Sequence, residues 1–121
     1  MAVENKINIV AVLTGLGMSE EMADTFSTTT TITKKATIYQ TQAVADTAEA
    51  LDLGDVGIVE LIIIRCITND VDIDCNYSES FSADITVNEG EVAVFKPAGT
   101  VYLQNDDAAE TFTVEALILG T

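Results

Sequence analysis

Along much of this chain apolar and polar residues alternate with a period of two, the signature of β-strands, and helical 3.6-residue periodicity is scarce. Between residues 2 and 14, Val3, Ile7, Ile9, Ala11 and Leu13 share one parity, with Glu4, Lys6 and Asn8 on the other. This predicts a strand with one wet face near its start, and Val10 and Val12 bury its second face further on. Gly15 and Gly17 break the pattern. Ser19-Glu20-Glu21-Met22-Ala23-Asp24 then offers an N-cap serine and acids for a first turn, so one short helix is expected near residues 19–25. Ser27 to Thr33 is threonine except at Ser27 and Ile32, which reads as a polar edge strand or an extended arm. Strand character resumes, with less regular alternation, over Thr37–Ala45.

The strongest apolar run is Ile58-Val59-Glu60-Leu61-Ile62-Ile63-Ile64-Arg65-Cys66, preceded by the turn Gly54-Asp55-Val56-Gly57. Ile62 and Ile64 point one way and Leu61 and Ile63 the other, so both faces are expected to be covered and the segment to be a central strand. Glu49–Leu53 is a short strand leading into it. Thr68-Asn69-Asp70-Val71 is expected to turn a hairpin into the alternating Val71–Asn76. Ile85–Val87 and Val92–Phe95 flank a second tight turn, Asn88-Glu89-Gly90-Glu91. Val101–Leu103 and Thr111–Leu119 complete the set. Many of these segments lie roughly 8–12 residues apart, the spacing of a β-sandwich or barrel. No repeat or linker divides residues 1–121, which form one expected domain.

Charge adds a second kind of division. The chain has 20 acidic and 5 basic residues and a net charge of −15. Such a balance argues against a grip on nucleic acid or on an anionic membrane. Residues 1–45 hold four acids and three lysines, a net charge of −1, whereas 46–121 hold sixteen acids against Arg65 and Lys96, a net of −14. The leading segment is therefore the candidate for contact with a partner, and the acidic remainder for contact with water; plain solubility accounts for the charge equally well. Glu4 and Lys6 interrupt any early signal-like apolar stretch, and no run approaches the ~20 apolar residues of a membrane span. A soluble protein made in a cytoplasm is expected.

Candidate chemistry is sparse. Histidine is absent, and with it the commonest general base and metal ligand. A turn at Asp70-Val71 would set Cys66 opposite Cys75 and Arg65 diagonal to Asp74. That register admits a disulfide, while a cytoplasmic setting favours two reduced, core-facing thiols. Asp70-x-Asp72-x-Asp74 has the spacing that opens a calcium loop, but Cys75 and Phe81 stand where such a loop needs glycine and glutamate. An acidic solvent face is the simpler account, with an inter-chain calcium site as the alternative. Asp106, Asp107 and Glu110 form a second acidic cluster in a loop. Asn76-Tyr77-Ser78 has the glycosylation pattern without a secretory signal, and no tryptophan is present to stack a sugar in a hydrolase cleft. No enzyme activity and no cofactor are expected.

Several features resemble small structural proteins of tailed bacteriophages. They are Ala48-Glu49-Ala50-Leu51-Asp52-Leu53-Gly54-Asp55-Val56, the apolar strand ending near Thr68-Asn69, Val87-Asn88-Glu89-Gly90-Glu91 with Phe95-Lys96-Pro97, and Thr113-Val114-Glu115-Ala116-Leu117-Ile118. Together they cover about two-thirds of the chain as strand and turn patterns; the first 42 residues take no part. The resemblance implies a capsid decoration, cement or head-fibre protein: an antiparallel, jelly-roll-like β-sandwich of about eight strands. It further implies a homo-oligomer, with a trimer favoured, seated on the major capsid protein at the virion surface. Leading arms in such proteins reach onto the capsid or a neighbour. Val3, Ile7, Ile9, Thr29, Thr31, Lys34 and Lys35 are the interface candidates on that basis. A receptor- or carbohydrate-binding module of a tail or fibre is the alternative, with specificity in loops such as 76–83 and 105–110.

Overall fold

The computed structural model of the protein describes residues 6–13, 20–27 and 32–121, the first two segments as backbone. It divides into two compact units, Met1–Ile32 and Thr33–Thr121. The structural division therefore comes earlier than the change in charge after residue 45, and the two lysines at 34 and 35 belong to the second unit.

In the first unit, β1 (Lys6–Leu13) and β2 (Glu20–Ser27) pair antiparallel from Lys6 opposite Ser27 to Leu13 opposite Glu20. Of the strand expected over 2–14, residues 6–13 are described and are extended, but the helix expected near 19–25 is not formed, because residues 20–27 are extended. The physical reason is length. One or two turns cannot hold themselves against the cost of helix nucleation, whereas the same residues satisfy their backbone groups along an eight-residue ladder.

The second unit is all β, with eight strands: β3 (Lys34–Thr41), β4 (Glu49–Ala50), β5 (Val59–Thr68), β6 (Val71–Asp74), β7 (Ile85–Val87), β8 (Val92–Phe95), β9 (Tyr102–Asn105) and β10 (Thr113–Gly120). The strands pair in nested fashion, β6 with β7, β5 with β8, β4 with β9 and β3 with β10, as if one long hairpin had been wound up. Two further ladders, β5 with β10 and β6 with β9, complete two four-stranded antiparallel sheets of order β3-β10-β5-β8 and β4-β9-β6-β7. This is the strand order of a jelly roll, two Greek keys closed as a sandwich. The expected fold class is met.

The pattern of apolar residues explains the layers. Ile62, Ile64, Cys66, Val114, Ala116 and Ile118 from one sheet meet Val71, Ile73, Val87 and Leu103 from the other, and Phe112 fills the space between, wholly buried. β5 lies inside its sheet between β10 and β8, as a central strand should. Its second face is less well covered than expected: Leu61 is buried but Ile63 is half-exposed. At the end of β10 a register shift brings Gly120 beside Val59, where a Cβ would overlap the Ile58 carbonyl oxygen. Glycine is required there by close backbone approach.

Both expected hairpins are corrected. Thr68–Val71 and Asn88–Glu91 do turn the chain, the second with an Asn88 carbonyl accepting from Glu91 N–H at 2.9 Å, but each carries it from one sheet to the other. β5 and β6 do not pair, so Cys66 is not opposite Cys75 and Arg65 is not diagonal to Asp74. Instead Arg65 stands between Glu115 and Val92, and Cys66 opposite Val114. Both cysteines are free.

Candidate functional site

Nesting of the strands gathers four crossings at one end of the sandwich: residues 42–48, 69–70, 88–91 and 106–112. These contain Asp46, Asp70, Glu89, Glu91, Asp106, Asp107 and Glu110 and no basic residue. Hydrogen bonds tie the crossings together. Glu89 N–H donates to Asp70 Oδ1 at 2.8 Å, Asp106 N–H to the Asp70 carbonyl at 3.2 Å, and Asn69 Nδ2 to the Thr111 carbonyl at 2.7 Å. Opposing loops thus converge on one anionic surface.

Beneath it lies a buried polar network that fixes two of the loops. Asn105 Oδ1 accepts from Gln42 Nε2 at 2.9 Å and from Asp46 N–H at 2.7 Å. Asn105 Nδ2 donates to Asp46 Oδ1 at 2.8 Å and to the Asp107 carbonyl at 2.7 Å. Gln42 in turn reaches the Thr47 carbonyl, and Ala109 N–H donates to Asp46. Asp46 and Ala109 both hold positive φ, near 63° and 66°, which these bonds offset. Asn105 stood in the sequence only as the start of a polar loop; its place at an inward-facing strand position is the signal that it is buried and bonded. Hydrogen bonds from Asn105 and Ala109 hold the Asp46 carboxyl below the usual carboxylate range.

The sequence candidates fall in different places. Asp70, Asp72 and Asp74 are not brought together. Asp74 is buried, and its two oxygens accept from Asn76 N–H at 3.0 Å and Ser82 N–H at 2.9 Å, so it organises the loop after β6. Asp72 accepts from Thr86 Oγ1 at 2.6 Å. The acids that do converge are Asp70, Asp106 and Asp107, with carboxylate oxygens within 4.8 Å of one another. With one oxygen from each, these three carboxylates supply half or less of the six to eight oxygens a calcium ion takes. The negative charge of Asp72, and a hydrogen bond to it, push the Asp106 carboxyl above the usual range.

Burial, with nearby Asp70 and Glu89, pushes the Cys66 thiol up to about 11, and its S–H donates to the Asn69 carbonyl. Cys75 is raised as well, by burial and by Asp84 and Asp74. Neither has the lowered pKa of a reactive thiol. Of the interface candidates, Lys34 and Lys35 open β3 and are exposed. Ile7 and Ile9 lie on β1, opposite Phe26 and Asp24. Val3, Thr29 and Thr31 lie outside the described residues.

At the other end of the sandwich is an open pocket of about 350 Å³, lined by Leu53, Val59, Pro97, Thr100 and Val101 and bearing no ionisable side chain. Beside it the loop 75–84 folds so that Tyr77 stacks on Tyr102, ring centroids 3.7 Å apart. Among the described residues no helix is long and apolar enough to cross a membrane. No protein-family model, no curated protein and no solved structure matches the chain.

Proposed function

We propose that the chain is a non-enzymatic virion structural protein that decorates and stabilises a bacteriophage capsid, made in the host cytoplasm and displayed on the shell. The observation that carries this reading is the eight-strand jelly-roll order, an architecture that recurs in viral capsid proteins. Fold alone does not establish function, but charge and chemistry agree with it. The anionic loop end suits a surface that faces water and repels its neighbours. Gln42, Asp46, Asp74 and Asn105 are engaged in holding the loops, and the pocket is lined by no ionisable side chain. The leading pair β1–β2, a unit separate from the sandwich, is the part that engages the shell or an adjacent subunit.

The test is occupancy on purified heads. Full-length protein is expected to bind at many copies per head, and removal of residues 1–14, which takes away β1, is expected to lower that number sharply. Undiminished occupancy refutes the role given to the leading unit. Absence of the full-length protein from heads refutes the function. The alternative, a receptor- or carbohydrate-binding module, draws on one observation: the stacked Tyr77 and Tyr102 lie at the loop 75–84, where an aromatic surface could receive a sugar. Specific hits on a glycan array, lost in Tyr77→Ala, would favour that reading.

A further inference from the structure

The outward face of the β3-β10-β5-β8 sheet differs in composition from the rest of the sandwich. Hydrogen-bonded register sets its side chains in rows across the four strands. One row reads Tyr39, Glu115, Arg65, Val92; the next reads Thr37, Leu117, Ile63, Val94. Their neighbours along each strand, such as Ala116, Ile64 and Ala93, face the core. Five large apolar side chains among the described residues are exposed, and three of them, Tyr39 at 68%, Val92 at 56% and Val94 at 46%, stand in these two rows. Thr33–Thr121 contains sixteen acids and four basic residues, yet the two rows hold one of each. These two rows are largely apolar, balanced in charge and bordered by the edge strands β3 and β8, the features of a contact surface; the next row, Lys35, Leu119 and Leu61, adds one lysine.

We propose that this face pairs with the same face of a second copy, about a twofold axis lying between the two sheets and parallel to their strands. Such an axis reverses the order of each row. Arg65 then lies over Glu115 of the second copy and Glu115 over its Arg65. Tyr39 meets Val92 and Leu117 meets Ile63, each contact occurring twice. The row order is thus complementary to itself in charge and in apolar character, as an isologous interface requires. Two sheets packed this way lie about 10 Å apart and are rotated by about 30° through their twist. Three strands contributing about eight residues each and β8 contributing four, spaced ~4.8 Å apart at ~3.3 Å per residue, give a face of roughly 450 Å². That is less than the ~800 Å² per partner of a standard interface, so the pair is concentration-dependent and not obligate.

The inference is independent of the capsid reading and differs from the trimer that the phage resemblance implies. Sedimentation velocity across the micromolar to submillimolar range tests it, at an ionic strength where repulsion between the acidic ends is screened beyond ~8 Å. Wild-type mass is expected to rise toward twice 12.9 kDa. Arg65→Glu and Glu115→Arg should each weaken the pair by about tenfold or more, because each puts like charges in contact. An equimolar mixture of the two variants should recover it, since both glutamates of the first variant then lie over the two arginines of the second. Mixing cannot repair a defect within a monomer, which separates the interface from the cross-strand pairing of 65 with 115. Circular dichroism checks that each variant folds; should either fail, Val94→Lys on the exposed edge should abolish the pair in its place. A monomer or trimer for the wild type, a mixture that stays monomeric, or a dimer untouched by Val94→Lys overturns the proposal.

Discussion

Truncation of Asn105 to alanine removes four hydrogen bonds at once, and their surroundings set the cost. Gln42 is only 3% exposed, so one hydrogen of its Nε2 is left without a partner in a dry site; the other still reaches the Thr47 carbonyl. An unsatisfied buried donor costs about 1–3 kcal/mol. The Asp46 and Asp107 partners are exposed and recover water, so those bonds contribute toward the low end of ~0.5–1.5 kcal/mol each. Asp46 and Ala109 relax from positive φ once released, which offsets part of the loss. A destabilisation of about 2–4 kcal/mol is the sum. Urea unfolding followed by circular dichroism reads it as a midpoint lowered by roughly 1–2 M, for an m-value of ~1–3 kcal/mol/M. Gln104→Ala, one residue away and facing outward, is the control. If Asn105→Ala costs no more than the control, or less than about 0.5 kcal/mol, the network does not hold the loop end as argued.

Three further outcomes follow from named contacts. Gly120→Ala should destabilise by about 1–3 kcal/mol through overlap with the Ile58 carbonyl, and a thermal shift within error would contradict it. Both thiols should count as free in denaturant without reductant, yet react slowly with a thiol reagent in the native protein at pH 8; a missing thiol or fast native labelling of Cys66 would refute the assignment. The raised Asp106 makes the folded chain bind a proton more tightly than the unfolded one, so its contribution is full at low pH and is lost as pH rises through the folded value. Asp46, lowered, contributes above its unfolded value and loses that contribution as pH falls through the folded one. Carboxyl NMR titration should therefore bracket the ordinary aspartate midpoint with Asp46 below and Asp106 above. Asp72→Asn should bring Asp106 down, and no movement would contradict the charge account.

Strand character was largely legible because alternation is a local property. Ile85–Val87 and Val92–Phe95 fall where their residues predicted, and Thr113–Gly120 lies within two residues of the expected Thr111–Leu119. Pairing was not legible, because a two-residue turn serves a hairpin and a crossing between sheets alike. A type I′ hairpin needs positive φ at both central residues. Here Asn69 adopts it, near 58°, and Asp70 does not, so the strands part. Both edges of β5 are taken, one by β10 with eight paired positions and the other by β8 with four, which leaves none for β6. Residues 20–27 illustrate the converse: early acids suit a helix start, but a neighbouring strand able to complete a ladder decided the outcome. The acidic convergence of Asp70 with Asp106 and Asp107 joins positions far apart in the chain, and only the nested topology brings them together.

Quantitative mass spectrometry of purified virions from the source that encodes this chain tests the central claim most directly. The capsid-decoration account predicts the protein in intact particles, at a copy number comparable to that of the major shell protein and lost when heads are stripped of their surface proteins. Its absence from particles, or only a few copies confined to tails, would contradict that account.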